Sequence, residues 1–283
     1  MQKITKLSTS LDEPLEKREL GKTISAREKT LNALIDEIEQ LKIDLTVIKQ
    51  GYDVKVGRRY LKLKDLIDKY FSLTYERNGA TDILERVGKF YTRKKFDICL
   101  VILEELLSRE NNNLDAKIWK AAILQKQGKY PEAVRLFTEC LSIEKGYAFV
   151  WRLRGGCYRK ILDKSASERL DPGTEQLRKW VKETDDYKNA LSDYLQVIEL
   201  DPTNGAAYDN AAMCYCIVGD YNKAHEFIDK AFTLSGAETP MIRKAQFFEF
   251  QEKIAESQEQ YKKTLDKFPN SKYAKKEILR LTK

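Results

Sequence analysis

The feature that most constrains this chain is a side-chain pattern that recurs about every 34 residues. In each copy a large aromatic or aliphatic residue is followed after three positions by a small residue, and after four more by a second large residue. Successive copies begin 34, 57, 34 and 33 residues apart, so one interval carries 23 residues more than the period. Such regular self-similarity predicts an array of structural repeats. The five copies are Phe96, Cys99 and Leu103; Tyr130, Ala133 and Phe137; Tyr187, Ala190 and Tyr194; Tyr221, Ala224 and Ile228; and Ile254, Ser257 and Tyr261.

A second apolar pattern precedes these copies and predicts that every repeat contains two helices. It is clearest at Tyr208, Ala211, Ala212 and Tyr215, which are separated by one to four positions, as residues on one helix face are. Only 13 Gly and 6 Pro interrupt the 283 residues, so few helix breakers are present. The sequence therefore predicts an all-α fold.

Together these residues resemble the tetratricopeptide repeat. In that family helix A carries a large residue, a small pair and an aromatic, and helix B carries a small residue and an aromatic. Pro202 and Pro269 stand where the family has the proline that closes a repeat. The resemblance spans about two thirds of the chain and implies an α-solenoid of five helix pairs. Small residues such as Ala212 and Ala224 would admit bulky side chains from the neighbouring helix.

The register of the pattern predicts the limits of the repeats. A capping helix is expected after the last repeat, with Tyr273, Ile278 and Leu281 facing that repeat, because a solenoid end needs a polar cap. The repeats are expected at residues 80–113, 114–147, 148–204, 205–237 and 238–270, and the capping helix at residues 271–283.

The 23 extra residues of the third repeat fall near residues 164–186. We predict that they lengthen both helices into a hairpin that projects beyond the solenoid and turns at residues 171–173, where Asp, Pro and Gly break a helix. Trp180 would either pack between the arms or offer an anchor to a partner. The second arm is expected to be one continuous helix, since apolar or β-branched residues continue at helical spacing through Leu177, Trp180, Val181, Thr184, Tyr187, Leu191 and Tyr194.

The chain ahead of the repeats has its own periodicity. Residues 1–24 are expected to be a disordered tail and residues 25–79 a coiled coil or a helical hairpin. One long helix with a stutter is the other reading of this segment. Six apolar residues in this segment are spaced alternately by three and four positions, as in the seam of a coiled coil: Leu31, Leu34, Ile38, Leu41, Leu45 and Ile48. This seam would support either a homodimer or packing onto the first repeat.

Charge and hydropathy bear on localisation and partners. Residues 1–20 lack the apolar run of a signal peptide, and no segment is apolar enough to insert into a membrane, so a cytoplasmic protein is expected. The net charge of +7 resides mainly in residues 262–283, which hold eight Lys and Arg against two acidic residues. A solvated basic end is expected there, and binding of nucleic acid is the less favoured alternative.

The sequence offers little for catalysis. His225 is the one histidine, which excludes most triads and histidine-based metal sites, and it is expected to face solvent. The five cysteines are odd in number and irregularly spaced, and a zinc site at Cys214 and Cys216 lacks a second pair. We expect buried thiols, no cofactor, no metal and no enzymatic activity.

The family resemblance implies a candidate peptide site on the A helices. Tetratricopeptide repeats include a clamp of Lys, Arg and Asn that holds the carboxylates of an acidic chain terminus. Arg152, Asn210 and Arg243 match positions of that clamp, whereas Gly156 and Thr239 do not. Arg159 lies one turn beyond Gly156 and would add positive charge to the same face.

Two functions of different kind follow from these features. The first is an adaptor or co-chaperone-like protein that binds acidic peptide segments in the groove of the repeats. The alternative is an assembly scaffold that acts through the coiled coil and the projecting hairpin. A nucleic-acid-associated role is a more distant third. In each case the partner is a macromolecule whose identity the pattern leaves open.

Overall fold

The computed structural model describes residue 29 and residues 79–167 and 174–282, and all regular structure in these residues is α-helical. The all-α prediction is confirmed. In the described residues the helices are α1 Ala80–Thr92, α2 Phe96–Arg109, α3 Leu114–Lys126, α4 Tyr130–Ile143, α5 Ala148–Ser167, α6 Glu175–Glu183, α7 Asp185–Leu200, α8 Gly205–Ile217, α9 Tyr221–Ser235, α10 Glu238–Phe250, α11 Ile254–Lys267 and α12 Lys272–Leu281.

The predicted N-terminal tail and coiled-coil segment lie outside the described residues, apart from residues 29 and 79. The proposed homodimer seam therefore stays a prediction. Among the helices that are described, none is both long enough and apolar enough to cross a membrane.

Short turns join the two helices of four hairpins in the described residues, and each has one residue with a left-handed backbone. Gly128 and Gly219 have φ values of 78° and 80°, which glycine adopts without strain. At the equivalent turns Lys94 and Glu252 have φ of 60°, although a Cβ disfavours that conformation. The hairpin geometry therefore persists where the sequence lacks the turn glycine.

The chain divides into two compact units, Met1–Ile123 and Leu124–Lys283. The first unit holds the hairpin of α1 and α2, which is packed around Val87, Cys99, Ile102 and Leu103. Within the second unit each helix from α7 to α12 contacts the next one along the chain. This consecutive packing is the arrangement in which each hairpin buries the apolar face of its neighbour.

Helices α5 and α7 pack closely together at Gly155. A Cβ on Gly155 would lie 3.1 Å from both the Asp193 Cβ and the Tyr194 Cε1 atoms, and 3.3 Å from the Ala190 carbonyl oxygen. Tyr194 is 1% exposed, so its ring occupies the space that the absent side chain leaves. Gly155 is thus the small residue that admits a bulky neighbour, as the repeat pattern requires.

The prediction of one continuous helix through the insert is wrong. Helices α6 and α7 are separated at Thr184, whose backbone is extended with φ −70° and ψ 145°. Its side-chain oxygen accepts a hydrogen bond from the Tyr187 amide at 3.3 Å and donates one to the Val181 carbonyl at 2.7 Å. A threonine N-cap followed by two aspartates in the first turn, Asp185 and Asp186, starts a new helix. Periodicity does not show this break because Thr184 falls in phase with the apolar positions.

Helix α6 does not project from the repeats, which corrects the second part of the hairpin prediction. Val181 is buried, and Leu177 and Trp180 are partly buried against the cluster that contains Cys214 of α8. The Arg178 guanidinium lies 5.7 Å from the centre of the Tyr221 ring on α9. Helix α6 therefore packs against the following repeat, and the predicted turn at residues 171–173 lies outside the described residues.

The capping helix α12 covers the last hairpin with the face that contains the expected residues. Ala274 and Glu277 are buried, while Ile278 and Leu281 are partly buried. Tyr273 is 43% exposed, and its hydroxyl accepts a hydrogen bond from Gln246 at 2.8 Å. Its ring centre lies 6.5 Å from that of Tyr261, so Tyr273 faces the last repeat as expected, from the edge of the buried stripe.

Candidate functional site

A basic cavity of about 440 Å³ lies on the first helices of the hairpins in the second unit. Four cationic side chains line it: Lys126, Arg152, Arg159 and Lys160. None of its lining residues is Asp or Glu. The remaining lining residues are Gln125, Tyr130, Leu153, Gly156, Tyr194 and Asn210.

The spacing of residues along α5 produces this concentration of charge. Arg152, Gly156, Arg159 and Lys160 follow one another at intervals of four, three and one, which places them on one helix face. Gly156 contributes no side chain, so a recess opens between the two arginines. A Cβ at Gly156 would lie 3.5 Å from the Gln125 Nε2 atom and 3.9 Å from the Tyr194 hydroxyl, which bound the recess.

The wall of the cavity formed by Gln125 is fixed by hydrogen bonds. Its Nε2 atom donates to the Leu153 carbonyl at 3.0 Å and to the Cys157 Sγ atom at 3.3 Å. Both acceptors belong to α5, so the end of α3 is bound to the helix that carries the arginines. Two hydrogen bonds therefore hold this wall of the cavity against α5.

A buried ion pair fixes α5 on its other side. The Arg154 Nε and Nη2 atoms donate to the two carboxylate oxygens of Asp193 at 2.9 and 2.7 Å, and its Nη1 atom donates to Thr138 at 3.0 Å. Burial raises the pKa of the Asp193 carboxyl, and the Arg154 guanidinium partly offsets that rise. These three hydrogen bonds join α5 to α4 and α7 and set the orientation of the arginine-bearing face.

Arg159 carries a donor that the protein leaves unused. Its Nε atom is buried and has no hydrogen-bond partner among the described residues. A buried guanidinium N–H without an acceptor is costly, and an anion in the cavity would provide that acceptor. This observation was not accessible to sequence reasoning, which placed Arg159 only on the same face as Arg152.

Arg243 does not line the cavity, which corrects the residue set expected from the family clamp. Its Nη1 atom lies 3.3 Å from the Asp209 Oδ1 atom, and both side chains are mostly buried. Burial lowers the pKa of Arg243 and raises that of Asp209, while each charge opposes the shift of the other. Asp209 thus compensates the charge that Arg243 would offer to a ligand.

Asn210 does line the cavity, although part of its hydrogen-bonding capacity is used locally. Its Nδ2 atom donates to the Ala206 carbonyl at 2.9 Å. The structure therefore places Arg152, Arg159 and Asn210 in the lining of the cavity. Arg243 lies outside the lining, although it is close enough to Arg159 for the two charges to interact. The sequence analysis missed Lys160, which helical spacing from Gly156 would have placed on this face, and Lys126, which belongs to the preceding hairpin.

His225 is half-buried, so the expectation that it faces solvent is wrong. Its ring centre lies 4.6 Å from that of Phe248, and its Nε2 atom lies 2.9 Å from the Gln251 Nε2 atom. Burial lowers the pKa of His225, and Lys244 lowers it further. The His225 ring thus packs on the next hairpin, where its hydrogen-bond partner Gln251 lies 26 residues further along the chain.

All five cysteines are buried, as the sequence predicts. Burial raises the pKa of the Cys157 thiol to about 11, which keeps it protonated and weakly nucleophilic. Among the described residues no group of three or more His, Cys, Asp and Glu side chains is arranged to hold a metal ion.

Repeated helical hairpins with consecutive packing define an α-helical repeat protein. Residues 193–226, from the middle of α7 into α9, match the model of the tetratricopeptide repeat family. The described residues have the α-solenoid fold of tetratricopeptide repeat proteins, with five helix pairs.

Solved structures show the same fold at low sequence identity. TTC0263, a TPR protein of Thermus thermophilus, is 16% identical, with a TM-score of 0.53, and the match covers 71% of this chain and 97% of that one. MamA of Desulfovibrio magneticus is 17% identical, with a TM-score of 0.55 and coverages of 68% and 97%. YrrB, a TPR protein with an unusual peptide-binding site, is 15% identical, with a TM-score of 0.53 and coverages of 72% and 95%.

Proposed function

We propose that this protein is a non-catalytic interaction module that binds an acidic segment of a partner protein in the basic cavity. The observation that carries the proposal is the lining of the cavity, which contains four cations and no carboxylate. An adaptor role follows, because a repeat protein with one anion-selective site can hold a partner without altering it. YrrB, which shares the fold, has a peptide-binding site.

Arg152 and Arg159 are the proposed ligand-binding residues. A guanidinium grips a carboxylate through two parallel hydrogen bonds, and two of them separated by Gly156 leave room for the ligand between them. Lys126 and Lys160 would add charge at the sides of the cavity. Asn210 would contribute an amide, and Arg243 has no direct role because Asp209 compensates its charge.

The scaffold alternative has less support in the described residues. It depends on the coiled-coil segment, which lies outside them, and on a projecting hairpin. Helix α6 packs onto the following repeat, with Trp180 partly buried against it. Trp180 therefore joins neighbouring repeats and does not stand out as an anchor.

Calorimetric titration with an acidic peptide tests the proposed function. The peptide is a hexamer of Asp and Glu, used as the free acid and as the amide, and its Asn and Gln counterpart serves as the uncharged probe. The proteins are the wild type, the double variant Arg152→Ala with Arg159→Ala, and a control with Lys262→Ala and Lys263→Ala. The control loses the same charge from exposed positions of α11.

We expect the wild type and the control to bind the acidic peptide with the same affinity. The double cavity variant should bind at least tenfold more weakly, because each lost charge-assisted contact contributes about 1.5–3 kcal/mol. Equal affinity of the control and the cavity variant, or equal affinity for the acidic and the uncharged peptide, would refute the proposal.

A further inference from the structure

We infer that the basic cavity is built for a phosphorylated side chain, phosphoserine or phosphothreonine, of a protein partner. The inference rests on the proposed function and names the ligand group of the same site. It follows from four properties of the cavity: its excess charge, its unused donor, its volume and the compensation of the neighbouring positive charge along the face of the repeats.

The charge of the cavity exceeds what a carboxylate would neutralise. Of the four lining cations, only Lys160 has an ion pair within the described residues, with Asp163 at 3.5 Å, and both of these side chains are about half exposed. A carboxylate brings one negative charge into this environment. A phosphoryl group brings about −1.5 to −2 at neutral pH and therefore compensates more of the positive potential.

The hydrogen-bond donors that line the cavity match the three acceptor oxygens of a phosphoryl group better than the two of a carboxylate. Arg152 and Arg159 lie on either side of the recess over Gly156, and Lys160 follows one position later on the same face. The Arg159 Nε atom is already buried and lacks an acceptor. A phosphoryl group has three strong acceptor oxygens, and Arg clusters are the usual means by which proteins recognise it.

The volume of the cavity points the same way. At about 440 Å³ its volume falls in the range of sites that bind small ligands. The absence of a side chain at Gly156 provides depth, and the Tyr194 hydroxyl and the Gln125 amide lie at the bottom of the recess. A branched tetrahedral group on a side chain would fill this space together with its first carbons.

The surroundings of the cavity favour a phosphorylated protein over a nucleic acid. A nucleic acid needs a track of positive charge for successive phosphates and aromatic faces for its bases. Further along the first helices, Arg243 is paired with Asp209, so the positive charge does not continue. Tyr130 and Tyr194 are the lining aromatics, and the Tyr194 ring is buried. One isolated anionic group is what such a site can hold.

Binding to a degenerate peptide library tests the inference with the full chain. The probes are nonapeptides with randomised flanks and a fixed centre of phosphoserine, phosphothreonine, glutamate or serine. Inorganic phosphate and a 5′-phosphorylated single-stranded RNA serve as separate competitors. We expect the phosphorylated libraries to bind at least tenfold more tightly than the glutamate library and the serine library to show no binding.

Three variants locate the binding. Arg159→Gln removes the charge, and Gly156→Leu fills the recess from a position where a Cβ meets only ordinary contacts. Each should lower phosphopeptide affinity at least tenfold, whereas Gly156→Ala should retain most of it. Because the second pKa of a phosphoryl group is near 6, lowering the pH from 7.5 to 5.5 should weaken phosphopeptide binding about fourfold. Binding of the glutamate library should change less.

The outcomes separate the inference from the proposed function. If glutamate and phosphoserine libraries bind equally, the phosphoryl preference is refuted and the acidic-segment function stands. If the RNA competes more strongly than the best phosphopeptide, the partner class is refuted. Binding of no library, or binding that Arg159→Gln and Gly156→Leu both leave intact, refutes the inference together with the assignment of the cavity.

Discussion

The Arg243 Nη1 atom lies 3.3 Å from the Asp209 Oδ1 atom, and this ion pair compensates the positive charge next to the basic cavity. Asp209 also interacts electrostatically with Arg159, which lines the cavity. The carboxylate therefore compensates Arg243 and weakens the positive potential at Arg159. An arginine matched by position to the clamp of the family thus serves the packing of α8 on α10.

Asp209→Asn is expected to strengthen binding of an anionic peptide. The substitution keeps the shape of the side chain and removes the charge that opposes the ligand. The gain should be about 0.5–1 kcal/mol, or roughly two- to fivefold in affinity, at moderate salt. Calorimetric titration at two salt concentrations measures it, and the gain should shrink at the higher one. An unchanged or reduced affinity would show that Asp209 does not set the potential of the cavity.

Asp193→Ala is expected to destabilise the second unit strongly. It would leave the Arg154 guanidinium buried without its carboxylate, and loss of one partner of a buried ion pair costs about 3–5 kcal/mol. The matched control is Glu259→Ala, which breaks an exposed ion pair with Lys263 and should cost under about 0.5 kcal/mol. Urea denaturation compares the two variants, and equal losses would contradict a structural role for the buried pair.

Adjacent glycines in α5 should respond in opposite ways to alanine. A Cβ at Gly155 would lie 3.1 Å from the Asp193 Cβ atom, so Gly155→Ala should destabilise by about 1–3 kcal/mol. At Gly156 the nearest atom would be 3.5 Å away, so Gly156→Ala should stabilise by up to about 1 kcal/mol through helix propensity. Thermal unfolding of both variants measures the difference, and a shift of the same sign at both positions would refute this packing.

Glu252→Gly is expected to stabilise the last hairpin. Glu252 has φ of 60° in the turn between α10 and α11, and a left-handed conformation costs a residue with a Cβ about 1–2 kcal/mol relative to glycine. Part of this is offset by the greater backbone entropy that glycine loses on folding, so a net gain of about 0.5–1 kcal/mol is expected. Glu252→Ala is the control and should give no gain; equal effects of the two substitutions would exclude backbone strain as the cause.

The fold could be predicted from the sequence because the same side-chain pattern recurs in each repeat. The second and third members of every triplet, such as Ala190 and Tyr194, are buried because stacking requires them, so spacing alone indicates their role. The helix break at Thr184 was not predicted from the apolar periodicity, because periodicity does not show the backbone hydrogen bonds that a helix cap makes.

The candidate site could be predicted only in part, because some of its residues come from different hairpins. Arg152 and Arg159 share a helix face, which sequence spacing reveals. Lys126 joins them from another helix, and Asp209 withdraws Arg243 from the site. Both facts depend on how neighbouring hairpins pack, so they required the structure.

The single histidine should make the stability of this protein depend on pH in a defined window. Burial lowers the pKa of His225 in the folded state, with Lys244 and Lys253 acting in the same direction and Asp229 opposing them. The unfolded chain, with a pKa near 6.5, then binds the proton more readily than the folded one. The contribution of neutral His225 is therefore complete above about pH 6.5 and is lost as the pH falls through that value toward the folded pKa.

Urea denaturation at pH 7.5 and 5.5 measures this loss, with His225→Gln as the reference for all other titrating groups. The wild type should lose more stability than His225→Gln over that interval. Proton NMR gives an independent reading, because one histidine provides one imidazole Hε1 resonance to titrate. A midpoint at or above 6.5 in the folded protein, or the same pH dependence in both proteins, would show that the contacts with Phe248 and Gln251 do not favour the neutral ring.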